Sequence, residues 1–344
     1  MFMTRGEGIS EVLDGPGHVV ILGAGASIAA NEYNPLPSGK KLPSMDSLIE
    51  DVGLAKILKG ANASSVGQNF EAIYSQLHLE NPESKLVRSI ESTVYEYFAA
   101  MELPPTPTLY DYLILSLRPK DLIATFNWDP FLFQAFSRNR NLAGMPHLSF
   151  LHGSVSIGYS PDDQRTGPAG WISKSSGNEY VPTKLLYPVT QKNYTDDVFI
   201  SREWNRLRRG LAQAKRVTIF GYGAPDTDVE AIDLMSEFWS GVKLRDDEQI
   251  EVIDTQPGDF LRQRWNRFIF EGHAEFSNSY FNSSLALFPR RSGESYLHQF
   301  HPATEAEAMQ ETNQIPERFE ALNEMQDWHR SLIEAETLHR SDIK

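Results

Sequence analysis

The 344-residue sequence contains no cysteine, and this absence excludes several kinds of chemistry. Disulfide bonds, thiol nucleophiles, cysteine-ligated zinc and iron–sulfur clusters all require a residue that the chain lacks. Basic residues are also comparatively few, because 32 lysines and arginines stand against 46 acidic residues and give a formal net charge of −14. Since such a surface repels the phosphate backbone, we expect no direct nucleic-acid binding.

Long apolar runs are missing as well. The longest run, around Val19–Ala30, is too short and too rich in glycine to span a bilayer. The opening stretch MFMTRGEGISEVLDG has no apolar segment of the kind found in secretory signals. We therefore expect a cytoplasmic protein without membrane association.

Two familiar motifs of metal and nucleotide enzymes are also absent from the sequence. It contains neither H-E-x-x-H nor the phosphate loop G-x-x-x-x-G-K-[ST]. His298 and His301 form an H-x-x-H pair, but no third ligand stands out beside them. The sequence therefore predicts no metal site, and in particular no zinc.

The apolar runs that are present predict the strands of an open α/β sheet. Four of them lack polar alternation: His18–Leu22, Leu122–Phe126, Arg216–Phe220 and Ile250–Asp254. Leu148–Leu151 is a fifth candidate. Such runs are typical of parallel strands covered on both faces, and helical patterns separate them along the chain. We predict a Rossmann-like open parallel sheet.

Nearly a hundred residues separate the first two predicted strands, which is too many for one crossover helix. We interpret about 40–118 as a helical insertion within an NAD-binding domain that spans residues 1–300. The helices predicted there are Met45–Lys59 capped by Ser44, Phe70–Leu79, Ser84–Met101 and Tyr110–Leu117. Gly153–Gly177 is rich in Gly, Pro and Ser and predicts a loop. Beyond Ile315-Pro316, an apolar stripe predicts a helix in a C-terminal tail, residues 301–344, that docks on the body or on another subunit.

The motif GAGAS, Gly23–Ser27, follows the first strand. Its two glycines allow a sharp turn and the close approach of a ligand, while Ile28 stands where the dinucleotide motif G-x-G-x-x-G has its third glycine. The helix that follows would aim free N–H groups at a phosphate. Ser27 could cap that helix or bond a phosphate oxygen. The alternative is a tight strand–helix turn that holds no ligand.

Polar residues follow two further strands, where open α/β sheets place their ligand crevice. In ATFNWDPF, Asn127 can donate and accept hydrogen bonds toward a ribose hydroxyl or a water. Asp129 can accept from a ligand amide, or it only caps the helix that starts at Pro130. In FLHGS, His152 is placed where a general base could sit, and a structural role is the alternative.

Two later strand ends extend the same pattern. VTIFGYGAPDTD turns at Gly221, and we expect a helix to begin near Asp226. EVIDTQP places Asp254 at the end of a strand, where its carboxylate could accept hydrogen bonds from ribose hydroxyls. Formation of a local Asx turn is the alternative for Asp254.

The order of these motifs resembles that of the sirtuin-like superfamily over roughly residues 16–290. The likeness is greatest to bacterial sirtuin-like proteins of anti-phage defence, which often read GAG-A-S, T-x-N-[YW]-D and HGS. The resemblance implies NAD as the substrate, with Asn127 holding the nicotinamide ribose or the attacking water. It further implies that Asp129 meets the nicotinamide carboxamide and that His152 is the catalytic histidine. The other NAD-binding residues that it implies are Gly23, Ala24, Gly25 and Ser27 near the pyrophosphate, Thr125 within its motif, and Gly221 and Asp254 toward the adenosine.

Three departures separate the chain from sirtuin deacylases. The zinc module needs cysteines, Phe126 stands where deacylases usually have glutamine, and the segment after Ser27 does not match. They favour cleavage of the nicotinamide–ribose bond by water. The resemblance thus implies an NAD glycohydrolase that acts in anti-phage defence by depleting NAD.

Control of that activity would come from a homo-oligomer or from a partner such as an ATPase, a helicase or a nuclease, as the resemblance implies. Two alternatives stay open. The chain could be a module that senses NAD or ADP-ribose without turnover and regulates a partner, or it could be an NAD-dependent protein deacylase.

Overall fold

The apolar runs of the sequence pair into one six-stranded sheet in which every neighbouring pair is parallel. The computed structural model describes residues 17–60, 69–142, 144–189, 193–225, 228–240, 249–269, 274–295 and 313–341. The strands are, from one edge of the sheet to the other, β3 (His147–Phe150), β2 (Leu122–Thr125), β1 (His18–Leu22), β7 (Arg216–Phe220), β8 (Gln249–Ile253) and β9 (Ala274–Ser277).

The strand order reverses between β1 and β7, which makes the sheet doubly wound. The chain builds one half outward from β1 to β3 and then returns to start the other half at β7. All residues of β1 and β7 are buried, as expected for strands covered on both faces. The predicted α/β open parallel sheet is therefore confirmed, whereas the edge strand β9 was not predicted.

Helices cover both halves of the sheet and fill the long connection between β1 and β2. Those from β1 to β2 are α1 (Ala24–Tyr33), α2 (Leu48–Asp51), α3 (Ala55–Gly60), α4 (Phe70–Glu80), α5 (Lys85–Ala99) and α6 (Leu109–Leu115). Those of the remaining chain are α7 (Phe131–Asn139), α8 (Val198–Gln213), α9 (Val229–Ser240), α10 (Gly258–Arg264), α11 (Ser284–Leu287) and α12 (Leu322–Ser341), together with a 3-10 turn at Tyr280–Asn282.

The prediction of one helix over Met45–Lys59 is wrong, because the chain forms the two short helices α2 and α3 instead. Gly53 lies between them with φ +83°, a left-handed conformation that ends a helix. Its amide donates to Glu50 O, and the amide of Leu54 donates to Ile49 O. Ser44 does not cap the first helix, which is preceded by Ser47.

The other predicted helices of the insertion are confirmed with small shifts in their ends. Asn69 caps α4 by accepting from the Ala72 amide, and Ser84 caps α5 by accepting from the Val87 amide. Thr108 and Asp111 form a capping box at the start of α6. These side chains satisfy amide groups that the first turn of a helix leaves without partners.

The region predicted as a loop, Gly153–Gly177, contains most of a small antiparallel sheet. Its strands are β4 (Ile157–Ser160), β5 (Arg165–Pro168) and β6 (Val181–Pro182), with β4 in the middle. Each strand has four residues or fewer and includes glycine or proline. Because such short strands contain no apolar run, the sequence pattern gave no sign of them.

The C-terminal segment docks on the body of this chain. Ile315 and Met325 are buried, the Ile315 amide donates to Ala286 O, and the Tyr33 hydroxyl donates to Glu317 O. The predicted tail helix is α12, but the proposed division at residue 300 falls among residues outside the described part. Among the described helices, none is long and apolar enough to cross a membrane.

Two turns at the ends of β1 and β7 touch each other through their backbones. The Gly25 amide donates to Gly221 O at 2.8 Å. A Cβ atom added at Gly23 would lie 2.6 Å from Gly221 O, and one added at Gly221 would lie 2.1 Å from the Ala26 nitrogen. Contact between the two turns therefore requires glycine on both sides, whether or not a ligand approaches.

We expect Gly221→Ala to lower the free energy of unfolding by at least about 2 kcal/mol, measured by urea denaturation. The left-handed backbone (φ +62°) and the collision with Ala26 both disfavour a Cβ atom there. Gly223→Ala is the matched control, because a Cβ atom at Gly223 meets nothing within 4 Å. Equal stability of the two variants would contradict the assigned contact.

Candidate functional site

A cavity of about 560 Å³ lies at the carboxyl ends of the central strands, where the strand order reverses. The predicted site residues that line it are Gly23, Ala24, Gly25, Ser27, Asn127, Asp129, His152, Gly221 and Asp254. Thr125 is not among the lining residues. The structure thus brings together strand ends that are far apart in the sequence, while the binding and catalytic roles assigned to them stay predictions.

The N-terminus of α1 borders the cavity, but its first amides are largely bonded within the protein. The Gly25 amide donates to Gly221 O and the Ala26 amide to Gly23 O. Of the first three amides of the helix, only that of Ala24 makes no hydrogen bond within the described residues. The sequence predicts free N–H groups at this helix start, and among these three amides the structure has one, that of Ala24.

Ser27 is the centre of a buried hydrogen-bond network. Its hydroxyl donates to Asp129 Oδ2 at 2.6 Å and is 2.6 Å from the hydroxyl of Tyr110. Because a hydroxyl has one proton to donate, the Tyr110 hydroxyl must donate to Ser27. Ser27 does not cap α1, whose N-cap is Gly23. Instead, this serine connects the insertion, through Tyr110 of α6, to the strand end that carries Asp129.

The same network fixes the orientation of Asn127. Its Nδ2 donates to Gly23 O at 2.9 Å and lies 3.0 Å from Ser27 Oγ and 3.2 Å from the Tyr110 hydroxyl. Within the described residues, no hydrogen bond uses Oδ1, so the amide can offer an acceptor to a ligand or water. Thr125, which does not line the cavity, contacts this residue: its Oγ1 accepts from the Asn127 backbone amide at 3.0 Å.

Asp129 is a buried carboxylate with two protein partners. Oδ2 accepts from Ser27, and Oδ1 accepts from the Phe131 amide at the start of α7 at 3.2 Å. The helix-capping interpretation is wrong, because the N-cap of α7 is Pro130. Asp129 precedes the cap and accepts from the Phe131 amide in an Asx turn. Burial raises the pKa of Asp129 to about 6, and the Ser27 hydroxyl and the Phe131 amide oppose this rise. A carboxylate buried at such a cost beside a cavity marks a candidate functional group.

His152 follows β3 and is held between aromatic rings. The imidazole is 5% exposed, packs edge-to-face on Phe126 with 4.8 Å between centroids, and lies parallel to the Tyr194 ring at 6.0 Å. Phe126 in turn stacks on Tyr222 at 4.3 Å. This stack fixes the plane of the histidine ring at the wall of the cavity.

The other end of the cavity lies at the ends of β7 and β8. Asp254 Oδ1 accepts from the Gln256 amide at 2.9 Å, so the Asx-turn interpretation is correct, and the residue also lines the cavity. The helix expected near Asp226 is α9, which begins at Val229, and Asp226 itself lies outside the described residues.

Several lining or network residues were not predicted, and two of them reach the site from the distant helical insertion. They are Tyr110 and Glu71 from the insertion, Trp128 within the asparagine motif, and Asp228 and Arg264 beyond β7. Tyr110 lies in an apolar helix and Glu71 in the first turn of α4, where a carboxylate is common. Neither position carries a sequence signal that sets it apart from ordinary helix residues.

No group of three or more His, Asp or Glu side chains arranged to hold a metal ion occurs among the described residues. The pair His298 and His301 lies outside them.

Comparison with known proteins finds a general likeness in architecture. No protein-family model and no curated protein matches the chain. A Sir2 homologue solved as an NAD complex is 12% identical, with a TM-score of 0.41, 90% of this chain covered and 96% of that one. A Sir2 homologue variant in complex with ADP-ribose is 12% identical, with a TM-score of 0.39 and coverages of 86% and 96%. A Sir2 protein bound to acetylated peptide is 10% identical, with a TM-score of 0.38 and coverages of 87% and 100%.

The raised pKa of Asp129 predicts a specific dependence of stability on pH. The folded-state value of about 6 exceeds the usual 3.8, so the folded state binds more protons between these values. The contribution of Asp129 to the free energy of unfolding therefore falls as pH rises from about 4 to about 6, and it is constant above that range. Asp129→Asn lacks this titration. The free energy of unfolding of the variant minus that of the parent should therefore rise by up to about 3 kcal/mol between pH 4 and pH 6, measured by urea unfolding at both pH values.

Asp259→Asn is the matched control, because Asp259 is exposed in the first turn of α10. It should differ from the parent by less than about 0.5 kcal/mol at both pH values. A difference between Asp129→Asn and the parent that does not change with pH would contradict the assigned shift.

Proposed function

We propose that this chain is an NAD glycohydrolase, which cleaves the nicotinamide–ribose bond of NAD with water. The observation that carries the proposal is the meeting of Asn127, Asp129 and His152 with the turn after β1 in one cavity. Sheets with this strand order bind nucleotides in the crevice at the point of reversal. The motif order shared with sirtuin-like proteins supports NAD as the nucleotide.

The proposed reaction needs little from the protein beyond orientation and one base. Nicotinamide is cationic while bound to the ribose and leaves as a neutral molecule, so the bond can break without a general acid. The transition state resembles an oxocarbenium ion, as in glycoside hydrolysis. Water adds to the anomeric carbon and gives up one proton. The products are nicotinamide, ADP-ribose and that proton.

We assign the proton transfer to His152 and the positioning to Asn127. An imidazole can accept a proton near neutral pH, and the ring stack holds it at the cavity wall. The carbonyl oxygen of Asn127 can accept from the attacking water or from a ribose hydroxyl, because Nδ2 is already bonded to Gly23 O. Holding the water and the ribose together lowers the entropic part of the barrier.

We assign the binding of the NAD pyrophosphate to the turn after β1 and the binding of the nicotinamide carboxamide to Asp129. The Ala24 amide at the start of α1 can donate to a pyrophosphate oxygen. The Asp129 carboxylate can accept from the amide N–H of nicotinamide in addition to its two protein donors. Protonation removes the negative charge of Asp129 and turns one of its acceptor sites into a donor. Because the pKa of Asp129 is about 6, substrate binding should weaken below that pH.

The resemblance also supports a biological setting. We propose that the activity depletes NAD during anti-phage defence and is restrained by self-association or by a partner such as an ATPase, a helicase or a nuclease. A protein without turnover would act as a sensor of NAD or ADP-ribose, and a deacylase would need an acyl-lysine peptide. Both alternatives use the same cavity, so they differ in products rather than in the residues that bind NAD.

We expect His152→Ala and Asn127→Ala each to lower nicotinamide release from NAD by about 100-fold or more. Nicotinamide is measured chromatographically with the purified protein. His147→Ala is the matched control, because His147 is exposed at the start of the same strand, β3, and should keep full activity. Melting curves of all variants separate loss of chemistry from loss of fold.

The alternatives make different predictions in this assay. Release that persists in both Ala variants would contradict the assigned residues. Binding of NAD to the parent without release would favour the sensor, and release that requires an acetylated peptide would favour the deacylase.

A further inference from the structure

The strand that leads to His152 lies at an edge of the sheet, and one helix bonds that edge. β3 is the last strand on its side of the six-stranded sheet, so its outer backbone groups face no further strand within the described part of the chain. Such an edge leaves N–H and C=O groups in need of partners. Three side chains of α8 supply them and are named here the edge clamp: Glu203, Trp204 and Arg206.

Glu203 and Arg206 bond the outer side of β3 at two alternate residues. Arg206 donates to Leu148 O at 2.5 Å, and the Phe150 amide donates to Glu203 Oε2 at 3.0 Å. The guanidinium also donates to the Glu203 carboxylate at 3.1 Å. Glu203 is 1% exposed, and a charge buried to this extent is costly unless it is paired and bonded. The carboxylate therefore has a specific task, which is to hold the strand against α8.

Trp204 contacts the surroundings of His152 without lining the cavity. Its Nε1 donates to Leu151 O at 3.1 Å, the carbonyl directly before the histidine. The centroid of its nearer ring lies 4.5 Å from that of Tyr194 and 6.0 Å from that of Phe126. These are the two rings that flank the imidazole. Trp204 is buried and is not among the residues that line the cavity.

Building on the proposed function, we propose that Trp204 and Glu203 are positioning residues that set where the His152 imidazole lies. They hold the backbone that precedes the histidine, and Trp204 also holds both of its ring neighbours. Displacement of a reacting group by about 1 Å can cost on the order of 100-fold in rate. The residues assigned to NAD binding belong to other strand ends, so loss of the edge clamp lowers kcat and leaves KM nearly unchanged.

Trp204→Phe tests this proposal because it removes the indole N–H and keeps an aromatic ring. We expect kcat for nicotinamide release to fall about 10-fold or more, with KM for NAD within about twofold of the parent. In a His152→Ala background the same change should alter the residual rate by less than about twofold, because the group it positions is gone. A tryptophan with a structural role alone would lower the rate by the same factor in both backgrounds.

Trp239→Phe is the matched control. It makes the same change at a buried indole in α9, which does not line the cavity, and it should keep full kcat. A second pair of variants tests the other member of the edge clamp. Glu203→Leu removes the acceptor of the Phe150 amide and should also lower kcat about 10-fold or more. Glu203→Gln removes the same charge but retains an acceptor oxygen, so its kcat should stay within about threefold of the parent.

The placement of His152 is also measured without turnover, by NMR of protein that carries isotope-labelled histidine. The imidazole signal that is missing from the His152→Ala spectrum identifies this residue. Glu203→Leu should shift that signal, whereas Glu203→Gln, with the same loss of charge, should leave it in place. A parent that releases no nicotinamide would refute the proposed hydrolysis, and the NMR signal would still decide the positioning role. An unmoved signal in Glu203→Leu, or an equal loss of kcat in Trp239→Phe, would overturn the proposal.

Discussion

The backbone contact between two glycine turns sets the geometry on which the rest of the site depends. The Gly25 amide donates to Gly221 O, and no side chain fits between the two turns. This contact joins the ends of β1 and β7 where the strand order reverses. It also determines where Gly23 O lies, and that oxygen accepts from Asn127 Nδ2. The turn that closes the crevice therefore also orients the amide that faces it.

The sequence predicts the sheet and the strand-end motifs well because both depend on local pattern. A strand buried on both faces must be apolar throughout, and polar residues at its end stand out against that run. The small sheet around β4 and the edge strand β9 have no such run. Tyr110 and Glu71 could not be predicted for a different reason. Helical periodicity shows which face of a helix is buried, but not which distant strand end that face meets.

Ser27 shows how the structure can give a motif residue contacts that its sequence context does not indicate. In the sequence it looks like a helix cap or a phosphate ligand, because small hydroxyl residues are typical of both. In the structure the Ser27 hydroxyl donates to Asp129, and its oxygen accepts from the Tyr110 hydroxyl and from Asn127 Nδ2. This donation opposes the rise in the pKa of Asp129 and so favours the ionised carboxylate. The motif serine thus adjusts an acceptor that burial alone would tend to protonate.

The insertion and the sheet build the nicotinamide end of the proposed site together, whereas the other end comes from strand ends of the sheet and the segment after β8. Tyr110 from the insertion bonds the same serine and asparagine that the sheet supplies, and Glu71 enters the cavity from a second helix of the insertion. The residues to which the proposed reaction is assigned therefore belong to one hydrogen-bonded frame. Hydrolysis requires the ribose and a water to be held in a fixed orientation, and residues that are already bound into a common network can do this with little conformational cost on binding.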